Sequence, residues 1–163
     1  MAENSEDAPV TSITLGGNIT ELTVITPIIE GRSETLRQVL QGIQISPDSP
    51  IKKISTIHYA RWVIFDNDTR LLFTSNFDGT WKKYLEDFVN LIPDGLDAIW
   101  GNCVGYPGAT PFEGFAKYVR DHQIKTDLFY AAYPEVTVKG VLKALDWEKK
   151  TNDFLDKLAE PPA

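Results

Sequence analysis

Hydrophobic positions in this chain recur with a period of two in some stretches and near 3.6 in others, and the switches between them predict its elements. The clearest period-two stretch is a hairpin over residues 55–78. Residues 56–65 are rich in β-branched and aromatic side chains, Asp66-Asn67-Asp68-Thr69 supplies turn chemistry, and residues 71–77 read as the returning strand. Another strand is predicted over residues 19–28, where Leu22, Val24 and Thr26 alternate with Glu21, Thr23 and Ile25; residues 10–15 predict a short edge strand. Helical spacing follows Ser33, a plausible cap, with Leu36, Val39, Leu40 and Ile43 on one face. It returns after Thr80 with Trp81, Tyr84, Leu85, Phe88, Leu91 and Ile92, before Pro93-Asp94-Gly95. A short helix is expected over residues 96–100, then a glycine-rich loop to Ala109. Thr110-Pro111-Phe112-Glu113 combines a capping box with proline at the first helical position and predicts a helix to about Arg120. Residues 127–133 read as a last strand, and Thr137 as the cap of a long C-terminal helix using Val141, Leu142, Leu145, Leu155 and Leu158.

Parity assigns the hairpin two faces. If Phe65 opposes Arg70, then Arg61 opposes Thr74, Tyr59 opposes Asn76, Trp62 opposes Phe73 and His58 opposes Phe77. One face then holds Tyr59, Arg61, Val63, Leu72, Thr74 and Asn76, a mixture suited to a ligand cavity or an interface. The other holds His58, Ala60, Trp62, Ile64, Leu71, Phe73, Ser75 and Phe77 and reads as hydrophobic core.

Taken together, the order is β-α-β-β-α-β with a helical insertion before the last strand, a ferredoxin-like α+β arrangement with helices on one side of an antiparallel sheet. The uncovered face, with Ile25, Val63, Leu72 and Phe129, is too apolar to leave in water. In this element order, from Ile19 to Leu158, the chain resembles the dimeric α+β-barrel superfamily, which includes small cofactor-free monooxygenases and haem proteins such as chlorite dismutases and dye-decolorising peroxidases. The resemblance implies a homodimer that packs sheet against sheet around a cavity. It carries no diagnostic motif and transfers no catalytic residue.

Composition narrows the classes. The 163 residues suit one domain, expected over residues 10–163 behind a disordered acidic tail at 1–9. A net charge of −7 argues against a nucleic-acid partner, since phosphate binding needs a concentrated basic surface. Cys103 is the single cysteine, so no intrachain disulfide can form. The start is acidic rather than signal-like, and no apolar run approaches the roughly 20 residues that span a bilayer. A cytoplasmic protein is the expectation.

Arg61 is the leading candidate for function. A guanidinium on a central strand needs a partner: either Glu21, which has the parity for a structural ion pair, or the oxygen-bearing end of a ligand, with Tyr59, Thr74 and Asn76 as polar neighbours. His58, on the core face by parity, reads as a hydrogen-bonded core histidine, and His122 as a solvent-facing residue near a helix end. Either could instead ligate haem iron or act as a base. No histidine pair has zinc-ligand spacing, Asp66-Asn67-Asp68 is a turn, and Cys103 reads as a buried free thiol. Three functions follow as expectations: a cofactor-free enzyme or binding protein for a small, mainly apolar molecule with an oxygen-bearing end; a haem protein using His58 or His122; or a noncatalytic dimerisation or interaction domain.

Overall fold

The computed structural model describes residues 12–15 and 17–159; the expected tail at 1–9 and the start of the expected edge strand lie outside them. Within the described residues the fold is α+β, with a four-stranded antiparallel open sheet in the order β1-β2-β4-β3. The strands are β1 (Thr14–Leu15), β2 (Ile19–Pro27), β3 (Ile57–Phe65) and β4 (Arg70–Asp78). The helices are α1 (Ser33–Ile45), α2 (Trp81–Leu91), α3 (Pro93–Trp100), α4 (Phe112–His122) and α5 (Val138–Ala159).

The hairpin register is the one that parity predicts from Phe65↔Arg70 to Tyr59↔Asn76. Its turn holds Asp66, Asn67 and Asp68 all at positive φ, a conformation that short polar side chains tolerate better than others. Leu22, Val24, Leu71, Phe73 and Phe77 leave the sheet on one side and are buried beneath α1–α4. Phe77 stacks on Tyr84 of α2 with ring centroids 3.7 Å apart, and Phe88 meets Tyr84 edge-on.

Three local expectations need correction. The strand over residues 127–133 does not form, so the expected ferredoxin-like β-α-β-β-α-β order is not completed, and the fourth strand of the sheet is instead the short N-terminal β1. The β2 edge it would have joined is occupied by three separate pieces: β1 beside Ile19 and Thr20, Gln123 and Ile124 beside Val24 and Thr23, and Val104 beside Pro27. With those backbone groups satisfied, residues 127–133 run on as irregular chain with Leu128 and Tyr130 exposed. The capping box at Thr110 does not close, because the helix starts one residue later with Pro111 at its cap. Pro93 begins α3 rather than only ending α2, which proline's fixed φ at a first helical position allows.

The core contains phenols that resist ionisation. Burial pushes the Tyr84 hydroxyl well above its ordinary value, opposed only by its hydrogen bond with Ser75, and burial likewise raises Tyr106 and Tyr118. The unfolded chain therefore releases these protons first. Stability is fully present below the ordinary phenol pKa of about 10 and is lost as pH rises above it. Urea melts should show a flat midpoint from pH 7 to 9 and a fall by pH 10.5; Tyr84→Phe should reduce that fall, and an unchanged midpoint at pH 10.5 would contradict this description of the core.

Candidate functional site: a cleft at the open sheet face

The helix-free face is a ladder of side-chain rows. Glu21, Asn76 and Tyr59 form one row, Thr23, Thr74 and Arg61 the next, and Ile25, Leu72 and Val63 a third. Arg61 therefore points away from the helices with Tyr59, Thr74 and Asn76, as parity requires. The expected Arg61–Glu21 ion pair is absent among the described residues. β4 lies between their strands, so the two side chains start about 10 Å apart across the sheet. Glu21 instead turns toward β1, is only 4% exposed, and accepts the Ile13 N–H at 3.1 Å. Arg61 is exposed and makes no ion pair among the described residues.

Arg61 and its three proposed neighbours do not form one site. Tyr59 and Asn76 line a cleft of about 380 Å³, whereas Arg61 and Thr74 lie outside it. Its sheet side is Ile19, His58, Tyr59 and Asn76; its opposite wall is the irregular chain from Phe129 to Tyr133, with Val136 and Val141 closing one end. The period-two pattern read as a strand is thus real, but it builds a wall: Phe129 and Ala131 are partly buried while Leu128 and Tyr130 face solvent.

His58 is in this cleft because of a β-bulge. The ladder shifts between Ile57 and Tyr59, so Ile57 opposes Phe77 and packs against the core while His58 becomes the extra residue. The expectation of a core-facing His58 is therefore wrong by one register step. Its Nε2–H donates to Asp78 Oδ1 at 2.7 Å, which leaves Nδ1 without a hydrogen bond among the described residues. Asp78 Oδ2 accepts the Val138 N–H at 2.8 Å, and Thr137 Oγ1 accepts the Gly140 N–H at 3.1 Å. Two orphan donors of the first α5 turn are thereby satisfied, and the carboxylate lies where the helix dipole favours negative charge.

Asp78 was missed by the sequence reading. Its signal was an acidic residue ending an otherwise apolar strand one position before Gly79.

The other candidates lie elsewhere. His122 ends α4, beyond β2 and on the opposite side of the sheet from β3; its Nδ1 donates to the Tyr118 carbonyl at 2.9 Å, and its ring lies 4.4 Å from that of Tyr118. Cys103 is buried, which pushes its thiol up and away from the reactive thiolate. The glycine-rich loop does not reach the cleft; Asp97 fixes it by accepting from the Tyr106 hydroxyl at 2.8 Å and the Ala109 N–H at 2.9 Å. Among the described residues no three His, Cys, Asp or Glu side chains form a group able to hold a metal ion, and no helix is long and apolar enough to cross a membrane.

Compared with known proteins, the chain matches no protein-family model, no curated protein and no solved structure.

If Asp78 holds both His58 and the α5 start, Asp78→Ala should loosen both together. Losing the cap should cost about 1 kcal/mol locally, equivalent to about fivefold faster amide exchange in the first α5 turn. Hydrogen exchange at Val138 to Val141 checks this, and unchanged protection there would show that Asp78 does not cap the helix.

Proposed function

We propose that the protein binds a small, mainly apolar molecule carrying a hydroxyl or similar oxygen-bearing end in the cleft at the open sheet face. The observation that carries this reading is a cleft lined by aromatic and aliphatic side chains together with one oriented imidazole. Phe129 supplies partly buried aromatic surface, the largely exposed Tyr59, Tyr130 and Tyr133 rim the cleft, and Ile19, Val136 and Val141 complete its lining. A cleft of about 380 Å³ suits a single-ring or two-ring molecule. His58 and Asn76 are its polar sheet residues.

The chemistry available there is acceptance of a proton or a hydrogen bond. With Nε2–H committed to Asp78, the free Nδ1 of His58 is the nitrogen that can accept from a ligand hydroxyl. The Asp78 carboxylate stabilises the imidazolium that forms if the proton crosses, and it fixes the ring orientation. Arg61, favoured from sequence as the ligand anchor, has no part in this reading. The β-α-β-β-α-β order behind the resemblance to the dimeric α+β barrels lacks its last strand here, so the cofactor-free reading rests on the cleft alone, and a haem role through His58 is the competing reading.

Titration with para-substituted phenols, followed by the tyrosine resonances of the cleft, tests the proposal. Saturable binding at submillimolar concentration is expected, weakened at least tenfold by His58→Ala and by Tyr59→Ala, a change on an exposed side chain that leaves the fold intact. Binding that is indifferent to both variants, or none up to millimolar phenol, would refute it. A Soret band that develops on haemin addition and disappears in His58→Ala would replace it with the haem reading.

A further inference from the structure

The sheet has a long bare edge. On the far side, β1 and the chain at Val104, Gln123 and Ile124 cover β2. On the near side, β3 is an outermost strand of nine residues, with neither proline nor lysine to blunt it and its bulge at one end.

The hydrogen bonds already made fix which backbone groups of β3 are free. The Asn18 carbonyl accepts the Gly79 N–H and the Thr69 carbonyl accepts the Ile28 N–H, each at 2.8 Å, so the odd-numbered residues of β4 turn their backbone to β2. The even-numbered ones turn to β3, as Asp78 does when its N–H donates to the Thr56 carbonyl at 2.9 Å. Tyr59, Arg61 and Val63 therefore pair with β4, and Ala60, Trp62 and Ile64 direct N–H and C=O outward, where no group of the described residues meets them. Beside this edge, Ala60 and Trp62 share a hollow of about 290 Å³ with Leu40 and Ile43 of α1, Ile51 and Ile99. It runs on past Ile43, Ile51 and Ile57 into a second hollow of about 570 Å³. In a chain of net charge −7, the lining of these hollows holds two cations, Arg61 and Lys52, and no carboxylate.

We infer that this edge takes up an extended peptide segment of another protein as an added strand, one in which apolar residues alternate with acidic ones. Extended chain is the backbone conformation whose N–H and C=O groups repeat at the spacing of Ala60, Trp62 and Ile64. Apolar side chains on the helix side of the added strand enter the hollow beside α1. The residues between them lie on the open face next to Arg61, where a carboxylate is the complement. A second copy of the chain does not fit this description. Its β3 has no carboxylate, and the antiparallel register that pairs all three outward residues sets Arg61 diagonal to Arg61 of the other copy. The hollows share no lining residue with the cleft, so the inference does not depend on what the cleft binds.

A phage-displayed library of random peptides as long as β3, nine residues, selected on the full chain and counter-selected on Ala60→Pro, tests the inference. Proline there removes a free N–H and leaves the β3–β4 ladder intact, and far-UV circular dichroism checks that the variant is folded. Selection should enrich peptides in which apolar residues alternate with carboxylates. The most enriched, made as a synthetic peptide, should slow amide exchange at Ala60, Trp62 and Ile64 and bind Arg61→Glu several-fold more weakly. N-methylation of alternate peptide amides should abolish binding in one of the two alternating sets and spare it in the other, a readout that needs no protein variant. No enrichment, or a selected peptide that leaves the three amides in fast exchange, would overturn the inference. Slow exchange at those amides in the peptide-free protein would also overturn it, because the edge would then belong to a second copy or to the chain's own ends. Binding indifferent to Arg61→Glu would overturn the acidic character of the partner.

Discussion

Everything in this molecule is positioned by the pairing of β4 with a strand on each side. β2 and β3 both align with it over nearly all of its nine residues, so the parity of β4 is imposed on the whole central sheet. A slip of one residue would turn Leu71, Phe73 and Phe77 to solvent and drive Thr74 and Asn76 into the helices. The hydrophobic cost of that exchange locks the register. The locked register in turn sets Tyr59 and Asn76 beside each other on the open face. Only one departure occurs, at His58, and it falls where the sheet meets the cleft.

That single bulge links fold to chemistry. It moves an imidazole out of the core-facing series and brings it to Asp78 at the end of the neighbouring strand. Asp78 is shared between His58 and the start of α5, so one carboxylate orients the imidazole and fixes where the long helix departs. Opposite them, the irregular chain from Phe129 to Tyr133 contributes bulk rather than hydrogen bonds to the sheet. Part of the open face therefore becomes a cleft without any additional strand.

The hairpin register was legible in the sequence because it depends on local alternation and a turn of Asp and Asn residues. Arg61 was correctly turned away from the helices for the same reason. The bulge was not legible, since inserting His58 rather than Ile57 depends on which side chain better fills the core beneath Phe77. The missing last strand shows a similar limit. Residues 127–133 have a strand's alternation, but a strand also needs a free edge, and β1, Gln123, Ile124 and Val104 had already occupied β2. The expected Arg61–Glu21 pair failed because parity puts two residues on one face without saying how many strands lie between them.

The central claim is that His58 is held by Asp78 through Nε2 with Nδ1 left free toward a ligand, and long-range ¹H–¹⁵N NMR of the imidazole reads both nitrogens directly. The expected spectrum shows a protonated Nε2 and an unprotonated Nδ1, with the Nδ1 shift moving when a phenol saturates the protein. A protonated Nδ1, or two nitrogens averaged as in a freely exposed imidazole, would contradict it.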